Sequence, residues 1–380
     1  MSLTTTIGDP VRAARTPAGR LSRLGPPGRD WHHARRVAVG LAVPGLALIV
    51  AGRPDLMICA VFGSFTGMYG RAESRGLRLR HQLQAGGVLV AGVGLGVLLA
   101  AVHAAPWVLV LTEVCFAFAG ALVTNRLGLV PQGPFFGVFA LGAMASVPPD
   151  RVAPWVAVLI CLASVLFAVL VGYAGGTRVG VVGAQPPADD DGVARPVVVL
   201  PGDSASLVRD DGRPILHAVV NAGRYALAIS VAGAVGVLLG LDHANWAMAA
   251  AIVPLAAADP GSRLHPGLRS VVHRSLHRVL GTLVGLAVTA LLLVPRLEPL
   301  WLALIVVALL FPTELFMGYH YGLALAFFTP LILVMTELAK PAEPFALLRD
   351  RGIDNLLGVA IGVAVAVFVR GPRSAAAAAD

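Results

Sequence analysis

Apolar residues fill this chain in long runs broken by short polar clusters, and the runs have membrane length. Twelve are separable, at residues 34–51, 54–70, 82–102, 106–123, 134–147, 154–173, 218–240, 243–258, 275–294, 298–312, 319–337 and 353–369. A helix needs about 20 apolar residues to cross the hydrocarbon, so the pattern predicts an all-α integral membrane protein of about twelve transmembrane helices. Residues 134–147 and 243–258 are short enough to be re-entrant or merged segments. Glycines four apart recur inside the runs, at Gly63/Gly67, Gly92/Gly96, Gly236/Gly240, Gly281/Gly285 and Gly358/Gly362. That spacing puts small residues on one helix face and predicts close helix packing.

The pattern is written twice. Arg36 opens a run that ends at Gly52, and Arg224 opens one that ends at Gly240 after the same interval. Arg80 and Gly87 answer to Arg274 and Gly281, Trp107 to Trp301, Phe135-Phe136 to Phe327-Phe328, and Arg151 to Arg351. The offset drifts from 188 (Arg36 to Arg224) to 200 (Arg151 to Arg351), as small loop insertions produce. Two six-helix repeats are therefore expected, at 34–173 and 218–370, flanked by a basic tail (1–33), a polar linker (174–217) and a C-terminal tail (371–380). Internal duplication of this kind is a common build of transporters, with the substrate handled between the copies.

Composition agrees. Mean hydropathy is +0.79 and only 13% of residues are charged, against about a quarter in soluble domains. The net charge of +8 points to topology rather than nucleic acid, because the arginines sit between apolar runs. With residues 1–33 inside, the inner side collects clusters such as Arg71, Arg75, Arg78 and Arg80, or Arg263, Arg269, Arg274 and Arg278. The outer side holds only Arg53, Arg151, Arg296, Lys340, Arg349 and Arg351. Positive-inside asymmetry then predicts an even number of spans, both termini cytoplasmic and parallel repeats.

Several chemistries are excluded. Lys340 is the only lysine and lies in Ala339-Lys340-Pro341, so no Walker A loop exists. His-Glu-x-x-His and Gly-x-Ser-x-Gly are absent. Cys59, Cys115 and Cys161 sit inside apolar runs and read as packing residues, and Asp189-Asp190-Asp191 in the linker reads as a solvated charge run. No enzyme, metal or cofactor is expected.

The residues fit for chemistry concentrate in the second copy. Arg274 and Arg278 share one face at the entrance of the ninth run, in Arg274-Ser275-Leu276-His277-Arg278-Val279-Leu280-Gly281-Thr282. Arg224 is placed near them. Arg351 and Asp354 open the last run one turn apart, where they are expected to pair at the outer mouth. Arginine is a fixed, permanently charged two-pronged donor for carboxylates, and Tyr319, Tyr321, Phe327 and Phe328 offer rings for stacking. Glu113, deep in the fourth run, is the proton-coupling candidate, since an unpaired carboxylate there is costly. Glu314 and His320 read as solvated loop residues, and Asp55 and Asp242 as helix caps.

Arg-x-x-Gly-Thr-x-x-Gly at Arg278 and Arg-x-x-Asp-x-x-x-Gly at Arg351, with Trp246, Pro254 and Phe327-Phe328-Thr329, resemble the fusaric acid resistance protein-like family. That family belongs to the aromatic acid exporter superfamily, with plant aluminium-activated malate channels as distant relatives. The resemblance covers 218–370 well and 34–173 faintly, where Gln84 stands at the place of Arg278. Many members carry a sizeable soluble domain after each membrane half; this chain has only the linker. The resemblance implies a bacterial inner-membrane exporter of aromatic or other carboxylate-bearing anions; the missing Walker A loop and Glu113 add the expectation of secondary transport driven by a proton gradient. Its expected partners are a small organic anion and the lipid bilayer, with no nucleic acid; a homo-oligomer is compatible with it. A passive organic-anion channel and a non-transporting scaffold of an envelope or biosynthetic complex are the alternatives.

Overall fold

The computed structural model describes residues 28–71, 73–175, 214–241, 243–256 and 268–369. The linker readings, including Asp189–Asp191, and those on Asp242, Arg263 and Arg269 lie outside the described side chains. Among the described residues the regular structure is all helical: α1 (Gly28–Val50), α2 (Pro54–Met68), α3 (Arg75–Ala101), α4 (Pro106–Leu127), α5 (Phe135–Ala145), α6 (Pro154–Ala174), α7 (Pro214–Leu238), α8 (Ala244–Leu255), α9 (Leu268–Leu293), α10 (Pro299–Met317), α11 (Tyr321–Ala339) and α12 (Pro344–Phe368). Nine of these are long and apolar enough to cross a membrane; α2, α5 and α8 are shorter apolar helices.

Local sequence sets the ends. Proline stands at the first turn of α2, α4, α6, α10 and α12, where its missing N–H costs nothing. Glu343 caps α12 by accepting from the Ala346 N–H at 2.6 Å. Gly52 and Gly240 close their helices with φ of +68° and +66°, a left-handed turn that glycine takes without strain. Gly240 therefore ends α7 rather than packing, and its echo with Gly52 is one of turn chemistry. Asp55 is no side-chain cap: it pairs with Arg53 at 2.8 Å.

The three short helices run inside the bundle. Met57–Ser64 of α2, Phe136–Met144 of α5 and Asn245–Leu255 of α8 are buried at every residue. The long helices instead expose apolar side chains such as Leu111, Leu166 and Leu291, the surface that lipid covers. A helix sheathed by protein need not reach across the hydrocarbon alone, because its ends and side chains meet protein. Hydroxyls inside the bundle turn back on their own helices, as Thr289 to the Gly285 carbonyl (2.7 Å) and Thr336 to that of Ile332 (2.8 Å).

Glycine lets the helices approach closely. A Cβ at Gly92 would strike the Gly137 carbonyl, at Gly96 that of Leu141, at Gly281 that of Gly322, and at Gly358 that of Ala247. Gly87, matched by sequence to Gly281, has open space around it; by packing, Gly92 and Gly96 fill the role of Gly281 and Gly285. Helix α1 packs on α10, and α7 on α4. The halves also meet in an aromatic core, where Phe328 lies 5.9 Å from Phe65 and 6.5 Å from Phe139.

Gly358→Val is expected to destabilise the protein by about 1–3 kcal/mol or prevent its accumulation, whereas Gly87→Ala leaves it intact. Melting midpoints in one detergent measure the contrast, and equal effects contradict this packing.

Candidate functional site

One end of the bundle gathers the ends of α2, α8 and α10, the 128–134 connection, and the first turns of α9 and α11. Between them lies a cavity of about 350 Å³. Its wall joins the two halves: Arg71, Phe135 and Phe136 from the first, and Arg274, Arg278, Glu314, Tyr321 and Phe328 from the second. The expected pair Arg274 and Arg278 is thus brought onto one cavity.

Each guanidinium rests on a ring. Arg274 lies 4.5 Å from the centroid of Tyr321, and Arg278 lies 5.5 Å from that of Phe135. Such contacts fix a planar cation without consuming its donors. Arg278 is 2% exposed, and its Nε donates to Asn355 Oδ1 at 3.1 Å. A neutral amide partner holds the side chain but leaves its charge unneutralised.

Arg351 is placed differently from the sequence expectation. It is buried, 5.1 Å over the Trp246 ring, and close enough to Arg278 for the two charges to interact. Helices α9 and α12 run in opposite directions, with Arg278 meeting Asn355 and Leu286 meeting Gly352. Arg278 is ten residues into α9 and Asn355 eleven into α12, roughly 15 Å from each helix start. The contact therefore lies part-way along both helices, with His277 against Gly322 keeping Arg278 level with the first turn of α11, and Arg351 is not a full span away from it. Nor does it form the expected hydrogen-bonded pair with Asp354: Arg351 Nε and Nη1 and both Asp354 carboxylate oxygens lack hydrogen-bond partners. Neither residue lines the cavity.

The other candidates divide. Phe328 is in the wall; Phe327 stacks on Phe316, 6.0 Å away. Tyr319 lies in the α10–α11 turn with its ring against His320 (4.6 Å), and Tyr321 takes the cavity position instead. Arg224 is buried off the cavity, and its Nη2 donates to the Ala366 carbonyl at 3.3 Å. It ties α7 to the last turn of α12. Glu113 is fully buried on α4, also off the cavity, above Gly142 and beside Asn245; its oxygens and the Asn245 Nδ2 lack hydrogen-bond partners.

Sequence reading missed Arg71 and misread Glu314. Glu314 is 2% exposed, on α10, which continues through Pro312 to Met317. Arg71 donates to its Oε2 and to its backbone carbonyl, both at 3.0 Å, and to Asp30 Oδ1 at 3.1 Å. His33 Nε2 is 3.4 Å from the same Oε2. The available signal was the apolar residues on both sides of Glu314, Leu310-Phe311 and Leu315-Phe316, which favour a helix over a solvated loop. Formal charge on the cavity wall is three arginines against one glutamate.

Residues 229–365 match the family model of fusaric acid resistance protein-like proteins. The resemblance read from the motifs is thereby shown, and the matched stretch contains Arg274, Arg278, Tyr321, Phe328 and Arg351. The inner membrane protein YccS of Escherichia coli (strain K12) is 29% identical over 155 residues, covering 40% of this chain and 19% of that protein. The match thus spans about a fifth of that relative's length. No solved structure matches the chain.

Arg71→Ala is expected to cost about 1–3 kcal/mol by leaving the buried Glu314 without its donor. Adding Glu314→Gln should recover part of that loss. Melting midpoints of the two single variants and the double variant measure the coupling, and strict additivity contradicts the ion pair.

Proposed function

We propose that this protein is a multi-pass inner-membrane transporter that exports an organic anion, aromatic or carboxylate-bearing. The observation that carries the reading is the cavity itself: about 350 Å³, apolar over most of its wall, with Arg274 and Arg278 seated on rings. An anion leaving water must exchange hydration for fixed donors, and arginine supplies two parallel ones. The neighbouring rings accept the apolar body of an aromatic acid. The family match and the inner-membrane name of the relative are consistent with this reading.

The proposal includes two parallel six-helix repeats, with the linker and both termini cytoplasmic and the cavity opening inward. Its support is reciprocal packing, in which the first helix of each half lies on the fourth of the other. The scaffold repeats, whereas the arginine motifs on the cavity belong to the second half.

Proton-coupled export through Glu113 is the first mechanism. Its basis is a buried carboxyl without a partner on a membrane helix. The passive-channel reading is favoured by a different fact: Glu113 does not line the cavity. A monovalent anion moving outward across an inside-negative membrane gains about 2.3 kcal/mol per 100 mV, enough for a gradient of roughly 50-fold.

Proteoliposomes loaded with labelled benzoate test both. Arg278→Ala should slow efflux at least tenfold while the protein still folds. Loss of pH-gradient-driven transport in Glu113→Gln supports proton coupling; unchanged pH dependence with voltage-driven efflux supports the channel. Wild-type vesicles that move no organic acid, with an Arg278→Ala variant altered in stability alone, leave the scaffold reading standing.

A further inference from the structure

The cavity wall contains a feature that an anion site does not need: a buried carboxylate. Glu314 lines the space that Arg71, Arg274 and Arg278 make positive. It repels any anion that enters and already occupies one of the three guanidiniums, that of Arg71. A cargo carboxylate and Glu314 are therefore competitors for the same donor.

The groups around Glu314 determine its state once it loses that donor. His33 comes from α1 and Arg71 from the segment after α2, while Arg274, Arg278 and Tyr321 share the cavity wall with Glu314. Asp30 holds the other side of the Arg71 fork, at 3.1 Å, so Arg71 stays near the site when it turns from Glu314. Arg36 Nη2 lies 3.3 Å from His33 Nδ1. Since arginine only donates, Nδ1 is the accepting nitrogen, and a neutral His33 carries its hydrogen on Nε2, toward Glu314. His33 thus turns its Nε2 hydrogen toward the carboxylate, 3.4 Å away, and is not set to take its proton. Among the described residues Arg71 is the one arginine in ion-pair contact with Glu314. With Arg71 withdrawn, a carboxylate that is 2% exposed has only the neutral His33 beside it, and an uncompensated buried charge costs more than binding a proton from the cavity water.

We propose that Glu314 is a proton-accepting residue linked to the anion site: an anion in the cavity takes Arg71, and Glu314 takes up one proton in return. The step balances in charge, because one anion and one proton enter together. By linkage, lower pH then strengthens anion binding, and the anion raises the proton affinity of the site by the same factor. This rests on the anion-export reading and adds a cargo class, weak acids. A weak acid that crosses the bilayer neutral and dissociates in the cytoplasm delivers both the anion and the proton that this arrangement binds together. Capture would then rise with the acid load itself.

Benzenesulfonate, whose charge does not change near neutral pH, is the probe, with full-length protein in nanodiscs. Equilibrium binding at pH 6, 7 and 8 should show affinity rising toward tenfold per unit of pH lowered, the limit for one linked proton. Glu314→Gln should abolish that slope and bind at pH 8 as tightly as the wild type at pH 6. His33→Gln should keep a slope. In weakly buffered solution with an indicator dye, wild-type protein should take up about one proton per anion bound, a readout independent of any variant. A slope unchanged in Glu314→Gln, a slope lost in His33→Gln alone, or binding without proton uptake overturns the linkage and leaves the anion site intact. Absence of saturable binding at every pH overturns the anion site and this inference with it.

Discussion

An arginine buried inside a bilayer protein has to be held without being neutralised, and the rest of this architecture depends on how Arg278 is held. Its hydrogen-bond partner is an amide, Asn355, and its stacking partner a ring, Phe135. Both leave the charge available to the cavity. Ion pairing with Asp354, one residue from Asn355, would have buried the charge in a closed pair and removed the field that an anion responds to. The cost of such an arrangement is desolvation, which the fold reduces by placing Arg278 on a cavity wall rather than against lipid.

That position depends on the short helices. Because α2, α5 and α8 are enclosed by longer neighbours, polar groups and helix ends can occur at membrane depth without touching hydrocarbon. Close approach within the bundle, by short and long helices alike, rests on glycine. Gly358 and Gly362 seat α12 against α8, and Gly281 and Gly285 seat α9 against α11. The same two helices, α9 and α12, present Arg278 and Asn355 to each other. Packing and site chemistry therefore share one set of contacts, so a glycine far from the cavity can disturb the arginine within it.

Much of this was legible in the amino-acid sequence, and the exceptions have physical causes. Run length and charge distribution identify a helical membrane protein, because the bilayer allows few other solutions. Arg274 and Arg278 could be read as one face because four residues make about one turn. Helix pairing was not legible: that Arg351 lies near Arg278 results from the antiparallel crossing of α9 and α12, which no local pattern encodes. Arg71 and Glu314 escaped for the same reason, being 243 residues apart, and Glu314 also because the tenth apolar run was closed at residue 312 although α10 continues to Met317. The Gly87–Gly281 echo misled because sequence alignment of two apolar repeats tolerates a shift of several residues, whereas backbone contact does not.

The central claim is that Arg274 and Arg278 form an anion site within the cavity. A density map of the protein in nanodiscs with 4-iodobenzoate tests it most directly, because the iodine marks the ring and the carboxylate end is then assigned. The account predicts the carboxylate within hydrogen-bond distance of Arg274 or Arg278, with the iodinated ring among Phe135, Tyr321 and Phe328. A saturated sample with that cavity empty of ligand, or with the anion bound only at the lipid-facing surface, contradicts it.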